Sequence, residues 1–210
     1  FHIYHGIVGG PKLEEVLADV WRYMNEGHRE LVILKFSHYQ NIDSDSYKKM
    51  VTMISDYLSP WLVTKRPEDG RLAEVGIRTF LEDQGAIIAV SDTDLPLIHR
   101  TDGIWVYRDW ESQNAVEGDL RVYDRYSNTM SYDAMKQDQL DKFSKYDGRC
   151  EAKPFPPCDL FLLSWTLTPP TAVWPFSKSA NRNLGQAMAE LKVTNQHGQI
   201  VNLLYVDYVE

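Results

Sequence analysis

The chain has 210 residues, an apolar share of 43%, a charged share of 25% and a formal net charge of −8. That length fits one domain, and a single α/β barrel can run past it. The acidic balance argues against nucleic acid, whose non-specific binders rely on clustered Lys and Arg, and no apolar run approaches the ~18 residues of a membrane span. No signal peptide is visible, but the first residues read as a start already inside a strand, so this decides nothing about export.

In chain order, "FHIYH" (1–5) has the alternation of a strand. Residues 12–26 place Leu13, Val16, Leu17, Val20, Trp21 and Met24 on one face at helical spacing, with Pro11 suited to the first turn and Gly27 to the stop. "LVILKFS" (31–37) predicts a strand buried on both faces. Residues 44–58 give a second amphipathic helix, with Ser44 as N-cap and Pro60 beyond its end. A short helix is expected near 71–83, then a strand, "AIIAVS" (86–91). Further strands follow in "LRVYD" (120–124), "LFLLSWT" (160–166) and "VNLLYVD" (201–207), separated by helices near 131–146 and 180–191.

Strands alternating with helices imply a parallel sheet with helical crossovers. The glycines of "GIVGG" lack the dinucleotide or phosphate-loop spacing. A closed barrel is therefore expected over an open nucleotide-binding sheet. Strand after strand also ends on a polar or ionisable residue: His5; Lys35, Ser37 and His38; Ser91 and Asp92; Asp124; Ser164 and Thr166; Asp207. Any one of these is what a strand reaching the surface looks like. Their succession points to a site, because a parallel barrel gathers its strand ends at one rim. Lys35 shares a face with Ser37 by the period of two, which offers the site an ammonium from one layer deeper, or else pairs Lys35 with a carboxylate inside the barrel. Cys150 and Cys158 flank a proline-rich segment. Either they close a disulfide, which would place the protein outside the cytosol, or they are two separate thiols.

The ordered set "YHG", "ELVILKFSH", "LFLLSWTLTP", "SANRNLGQAM" and "VNLLYVDYV" resembles the X domain of phosphatidylinositol-specific phospholipases C, best the bacterial-type and X-domain-only members. The likeness is good at both ends of the chain and poor over 60–118. It implies one catalytic domain over 1–210: an α/β, distorted (β/α)8 TIM-type barrel, incomplete at the N-terminus in this chain. It implies an enzyme that cleaves phosphatidylinositol, or a related phosphodiester at a membrane surface, to diacylglycerol and a cyclic inositol phosphate. Two histidines would work as general base and general acid, since an imidazole with a pKa of about 6.5 serves either role near neutrality.

By the same resemblance His5 is the general acid. The partner histidine, and an arginine that clamps the phosphate, would sit on a strand before Phe1. Asp207 would orient that partner, fixing its tautomer and stabilising its imidazolium. Asp124 would face the inositol hydroxyls and Tyr126 cover one sugar face; their alternatives are a strand-end carboxylate and a packed aromatic. Relatives carry a glutamate (calcium-dependent) or a lysine (metal-independent) where Ser37 stands, so serine fits neither pattern. Calcium wants several hard oxygen ligands, and Asp92 and Asp124 supply two. The expectation is catalysis with no cofactor and no metal, and with Lys35, Ser37, Asp92, Asp124 and Tyr126 binding substrate.

His2 is expected to pack behind the barrel wall, and His38 in a surface loop; His28, His99 and His197 take no role. The apolar loop 166–178, with Trp174 and Phe176, either touches a bilayer interface or folds over the barrel end, and Trp105 and Trp110 share that ambiguity. Two other readings remain: a metal-dependent glycerophosphodiesterase-like barrel, which the strand ending in Ser37 disfavours, and a non-catalytic inositol-lipid-binding barrel.

Overall fold

In the computed structural model of the chain, the described residues are 1–5, 8–65, 71–93, 102–109, 118–149, 160–169, 173–191 and 194–207. They fall into two compact units. The first takes in the described residues up to Tyr107 together with 118–120, and the second those from Arg121 on, together with 108–109.

The first unit opens on an antiparallel hairpin, β1 (His2–His5) with β2 (Val8–Lys12), paired through Tyr4 opposite Gly9 and His5 opposite Val8. This places β1 in a two-stranded sheet of its own. The returning strand is extended because Gly9, Gly10 and Pro11 all disfavour helix. A Cβ on Gly10 would meet the Ile3 carbonyl oxygen at 3.1 Å, so the hairpin closes tightly there. His2 is exposed rather than packed behind a wall, since a two-stranded ribbon offers it no covering layer.

Helix α1 (Leu13–Asn25) starts one residue later than its periodicity predicts and buries Leu13, Leu17 and Met24. Trp21 falls at the edge of the apolar stripe and stays exposed. Gly27, at φ +84°, supplies the left-handed turn that stops the helix. Strand β3 (Leu31–Phe36) pairs in parallel with β4 (Ala86–Ser91), from Leu31 opposite Ala86 to Phe36 opposite Ser91. The crossover runs through α2 (Ser44–Leu58). Its N-cap is Asp43, not Ser44: the Asp43 carboxylate accepts the Ser46 N–H at 2.7 Å. The helix expected near 71–83 is divided at Gly76 into a 3-10 turn (Leu72–Glu74) and the single-turn α3 (Ile77–Phe80). Just before β4, Gly85 is enclosed: a Cβ there would lie 2.5 Å from the His28 carbonyl oxygen and 2.7 Å from Met24 Cε. Strand β5 (Ile104–Arg108) pairs in parallel with β4 and lies where the sequence singles out only tryptophans. Val32, Leu34 and Phe36 pack with Leu17, Met24, Ile54, Leu58, Ile87 and Ala89 in the helix-side core. By alternation Ile33, Lys35 and Ser37 take the opposite face.

The second unit repeats the plan. Strands β6 (Leu120–Asp124), β7 (Leu160–Trp165) and β8 (Leu203–Val206) pair in parallel, with Asp124 opposite Leu162 and Trp165 opposite Val206. Helix α4 (Tyr132–Lys145) is capped by the Ser131 hydroxyl, which accepts the Ala134 N–H. In place of one helix near 180–191, α5 (Trp174–Arg182) and α6 (Leu184–Glu190) meet at Asn183. Their core gathers Met135, Phe143, Phe161, Leu163, Trp165, Ala180 and Ala187. The fully buried Trp165 indole donates to the Ala180 carbonyl at 3.0 Å. Cys150, Cys158, His99 and Trp110 lie outside the described residues.

Candidate functional site

Parallel pairing sends the C-terminal ends of β3 and β4 to one edge of the first unit's sheet. There the loop after β3 is held from two strands. The Tyr4 hydroxyl of β1 donates to the His38 carbonyl, and the His38 N–H donates to Asp92 Oδ2 at 3.3 Å. The Tyr39 and Ser91 hydroxyls are hydrogen-bonded at 2.7 Å. His38 holds a left-handed backbone, φ 56°, which histidine adopts more readily than most residues. Ser37 and Asp92, each one residue beyond its strand, are half-buried. Lys35 lies on the face away from the helices, exposed, with Nζ 4.2 Å from the centroid of the Tyr107 ring. An ammonium over an aromatic face is stabilised by the ring quadrupole, and this is one partner that the sequence does not name for Lys35.

Burial drives the Tyr39 phenol far above its ordinary value, against the Ser91 bond and with help from the Asp92 charge. Burial likewise pushes Tyr47 up to about 12, the Ser91 hydroxyl opposing and Asp92 adding. Both phenols are thus neutral at any physiological pH. His5 closes β1 one residue after Tyr4; its side chain lies outside the described residues.

In the second unit Asp124 ends β6 and Asp207 follows β8, both half-buried. The two carboxylates are brought into electrostatic reach of one phenol. Tyr205 is raised first by partial burial, then by the charges of Asp207 and Asp124. Asn181 of α5 donates to the Asp207 carbonyl at 2.8 Å, fixing the backbone where the carboxylate projects. The Ser164 and Thr166 hydroxyls at the end of β7 meet each other at 3.1 Å and are buried. Tyr126, two residues past Asp124, leaves 51% of its surface open. Trp174 and Met130 are also exposed, the former under the Lys178 ammonium at 5.1 Å.

Sequence reasoning misses Tyr205, Asn181 and Arg108. Tyr205 shares a strand face with Asp207 two residues on, which is the available signal. Asn181 stands within the matched stretch "SANRNLGQAM". Arg108, 3% exposed, ends β5 and obeys the same polar-ending rule as the other strands. Among the described residues no three of His, Cys, Asp or Glu gather as a metal-ligand set.

Repeated β–α units with parallel strands define an α/β protein. No family model and no curated protein matches the chain. Among solved structures the chain is similar to the phosphatidylinositol-specific phospholipase C from Listeria monocytogenes, at 15% identity and a TM-score of 0.58, over 100% of this chain and 70% of that one. That likeness shows the fold, which is the α/β, TIM-type class that the sequence leads one to expect. No helix among the described residues is long and apolar enough to cross a membrane.

Proposed function

We propose that this chain is a phospholipase-C-type phosphodiesterase that cleaves phosphatidylinositol, or a closely related inositol phosphodiester, to diacylglycerol and a cyclic inositol phosphate. The observation that carries the reading is a run of ionisable strand ends, Lys35, Asp92, Asp124 and Asp207, in a chain that shares the fold of a phosphatidylinositol-specific phospholipase C along its whole length.

In this reading the inositol 2-hydroxyl attacks phosphorus while a base takes its proton, and the bond to the glycerol oxygen breaks. His5 gives its proton to that departing oxygen, so diacylglycerol leaves neutral. The base is a second imidazole, oriented by Asp207, whose backbone Asn181 holds. Lys35 contributes positive charge near the phosphate and Asp92 and Ser37 line the same rim, while Asp124 and Tyr126 engage the inositol ring. The reaction proceeds without a metal ion. The exposed Trp174 and Met130 suit contact with the surface of a bilayer, and in this reading the enzyme works outside the cytosol.

The test is phosphorus NMR of phosphatidylinositol incubated with the full-length protein, with and without a chelator, beside His5→Ala. A cyclic inositol phosphate signal that survives chelation and vanishes in the variant is expected. No signal from folded protein under either condition overturns the reading and favours a non-catalytic inositol-lipid-binding barrel.

A further inference from the structure

Helix α4 directs its polar side chains at the short loop that follows β6. Gln139 is fully buried. Its Nε2 donates to the Arg125 carbonyl at 3.0 Å and to Ser127 Oγ at 2.9 Å, and its Oε1 accepts the Ser164 N–H at 2.9 Å. One helical turn later, Lys142 keeps only 12% of its side chain exposed. Its Nζ donates to the Arg125 carbonyl at 3.1 Å and the Tyr126 carbonyl at 3.2 Å, and pairs with Asp138. Ser127 closes the circuit by donating to Asp138 Oδ2 at 2.6 Å. The carbonyls of Arg125 and Tyr126 and the hydroxyl of Ser127 are therefore all anchored to one helix.

An (i, i+4) ion pair on an exposed helix face contributes only a few tenths of a kcal/mol. This pair is turned inward and spends its donors on loop carbonyls instead. Burying an ammonium and an amide for that purpose is worthwhile where the loop must hold one conformation. The loop's backbone is fixed, yet the Tyr126 ring stays half open to solvent, and the Asp124 carboxylate lies two residues away on the same segment. A rigid backbone under an open aromatic face and an adjacent carboxylate is the arrangement that receives a ring with one apolar face and hydroxyls at its edge.

We infer that Gln139, Lys142 and Asp138 form a pedestal that positions Asp124 and Tyr126 to bind the ring of a polyhydroxylated head group, the carboxylate on its hydroxyls and the phenol ring on its apolar face. The inference rests on the proposed phospholipase reading and assigns positioning residues to it.

The experiment compares the full-length protein with Lys142→Met, Lys142→Arg and Ser127→Ala. The readouts are myo-inositol binding by calorimetry, kcat and KM on phosphatidylinositol in mixed micelles, and the thermal midpoint. Lys142→Met and Ser127→Ala are expected to weaken myo-inositol binding and raise KM by about tenfold with kcat changed by less than about threefold, and Lys142→Arg to recover most of the loss. Variants that bind and turn over like a functional wild type overturn the pedestal and leave the phospholipase reading standing. So does a loss that follows the thermal midpoint alone and is not rescued by arginine. A folded wild type that neither binds myo-inositol nor cleaves the lipid overturns both.

Discussion

The hydroxyls of Tyr39 and Ser91 meet at 2.7 Å, tying the loop after β3 to the last residue of β4. With Tyr47 fully buried beside them, this corner of the first unit depends on two phenols remaining neutral.

That dependence sets an alkaline limit. A tyrosine ionises near 10 in the unfolded chain, whereas Tyr47 is pushed up to about 12 and Tyr39 higher still. Between those values the unfolded state releases protons that the folded state keeps. The stabilisation is therefore complete below about pH 10 and is lost as pH rises through the folded values. Urea unfolding followed from pH 8 to 12 should show this decline, and absorbance at 295 nm should show two tyrosines titrating only with unfolding. A flat profile with Tyr47→Phe indistinguishable from wild type contradicts it.

The pedestal sets an acid limit of opposite sign. Burial raises the Asp138 carboxyl, but the bonds from Lys142 and Ser127 and the Lys142 charge outweigh it and hold the group below its ordinary 3.8. Its contribution is complete above about pH 4 and fades as pH falls through the depressed value. The thermal midpoint of Lys142→Met should fall less steeply below pH 4 than that of wild type. Parallel curves count against the assignment.

Lys35 offers a test of chemistry apart from stability. Its side chain is exposed and its ammonium sits over Tyr107. Lys35→Met should leave the thermal midpoint within about two degrees of wild type, because surface substitutions usually change stability little. On the proposed reading, in which Lys35 contributes charge near the phosphate, its removal should lower turnover of phosphatidylinositol by roughly tenfold or more. Unaltered turnover would remove Lys35 from the site.

Gly85 tests the packing behind the rim. Because a Cβ would press on the His28 carbonyl oxygen and Met24 Cε, Gly85→Ala forces backbone to move and should cost about 1–3 kcal/mol in chemical denaturation. A loss under about 0.5 kcal/mol, the usual range for an innocuous surface change, refutes the close contact.

The strands β3, β4, β6, β7 and β8 are legible because each is a short, mainly apolar run between helical segments. Of these five only β4 is buried along its whole length, while β3, expected to be buried on both faces, exposes Lys35, and β8 exposes Leu204 and Tyr205. The returning strand β2 is not legible, since Pro11 suits the first turn of the helix that follows, yet it lies in β2, which pairs back where Gly10 tolerates the Ile3 carbonyl. Strand β5 is obscured by its brevity, four apolar residues between Gly103 and Arg108. In the site, Asp92, Asp124 and Asp207 follow from the strand-end rule, and the structure places each one at or just beyond a C-terminal strand end. The contact from Asn181 to Asp207 spans 26 residues. Gln139 meets Ser164 across 25. Neither separation leaves a local pattern, so only the folded chain reveals which helix residues brace which rim residues.

All six residues of β4 are buried, and its hydrogen-bonding side chains begin only at its last position. The interior of that strand answers to volume, while its last residue and the one just past it answer to hydrogen bonding with the neighbouring loop. The two demands fall on different stretches of chain. Divergence in what the protein accepts can thus proceed loop by loop, each exchange leaving the strands behind it to fold as before.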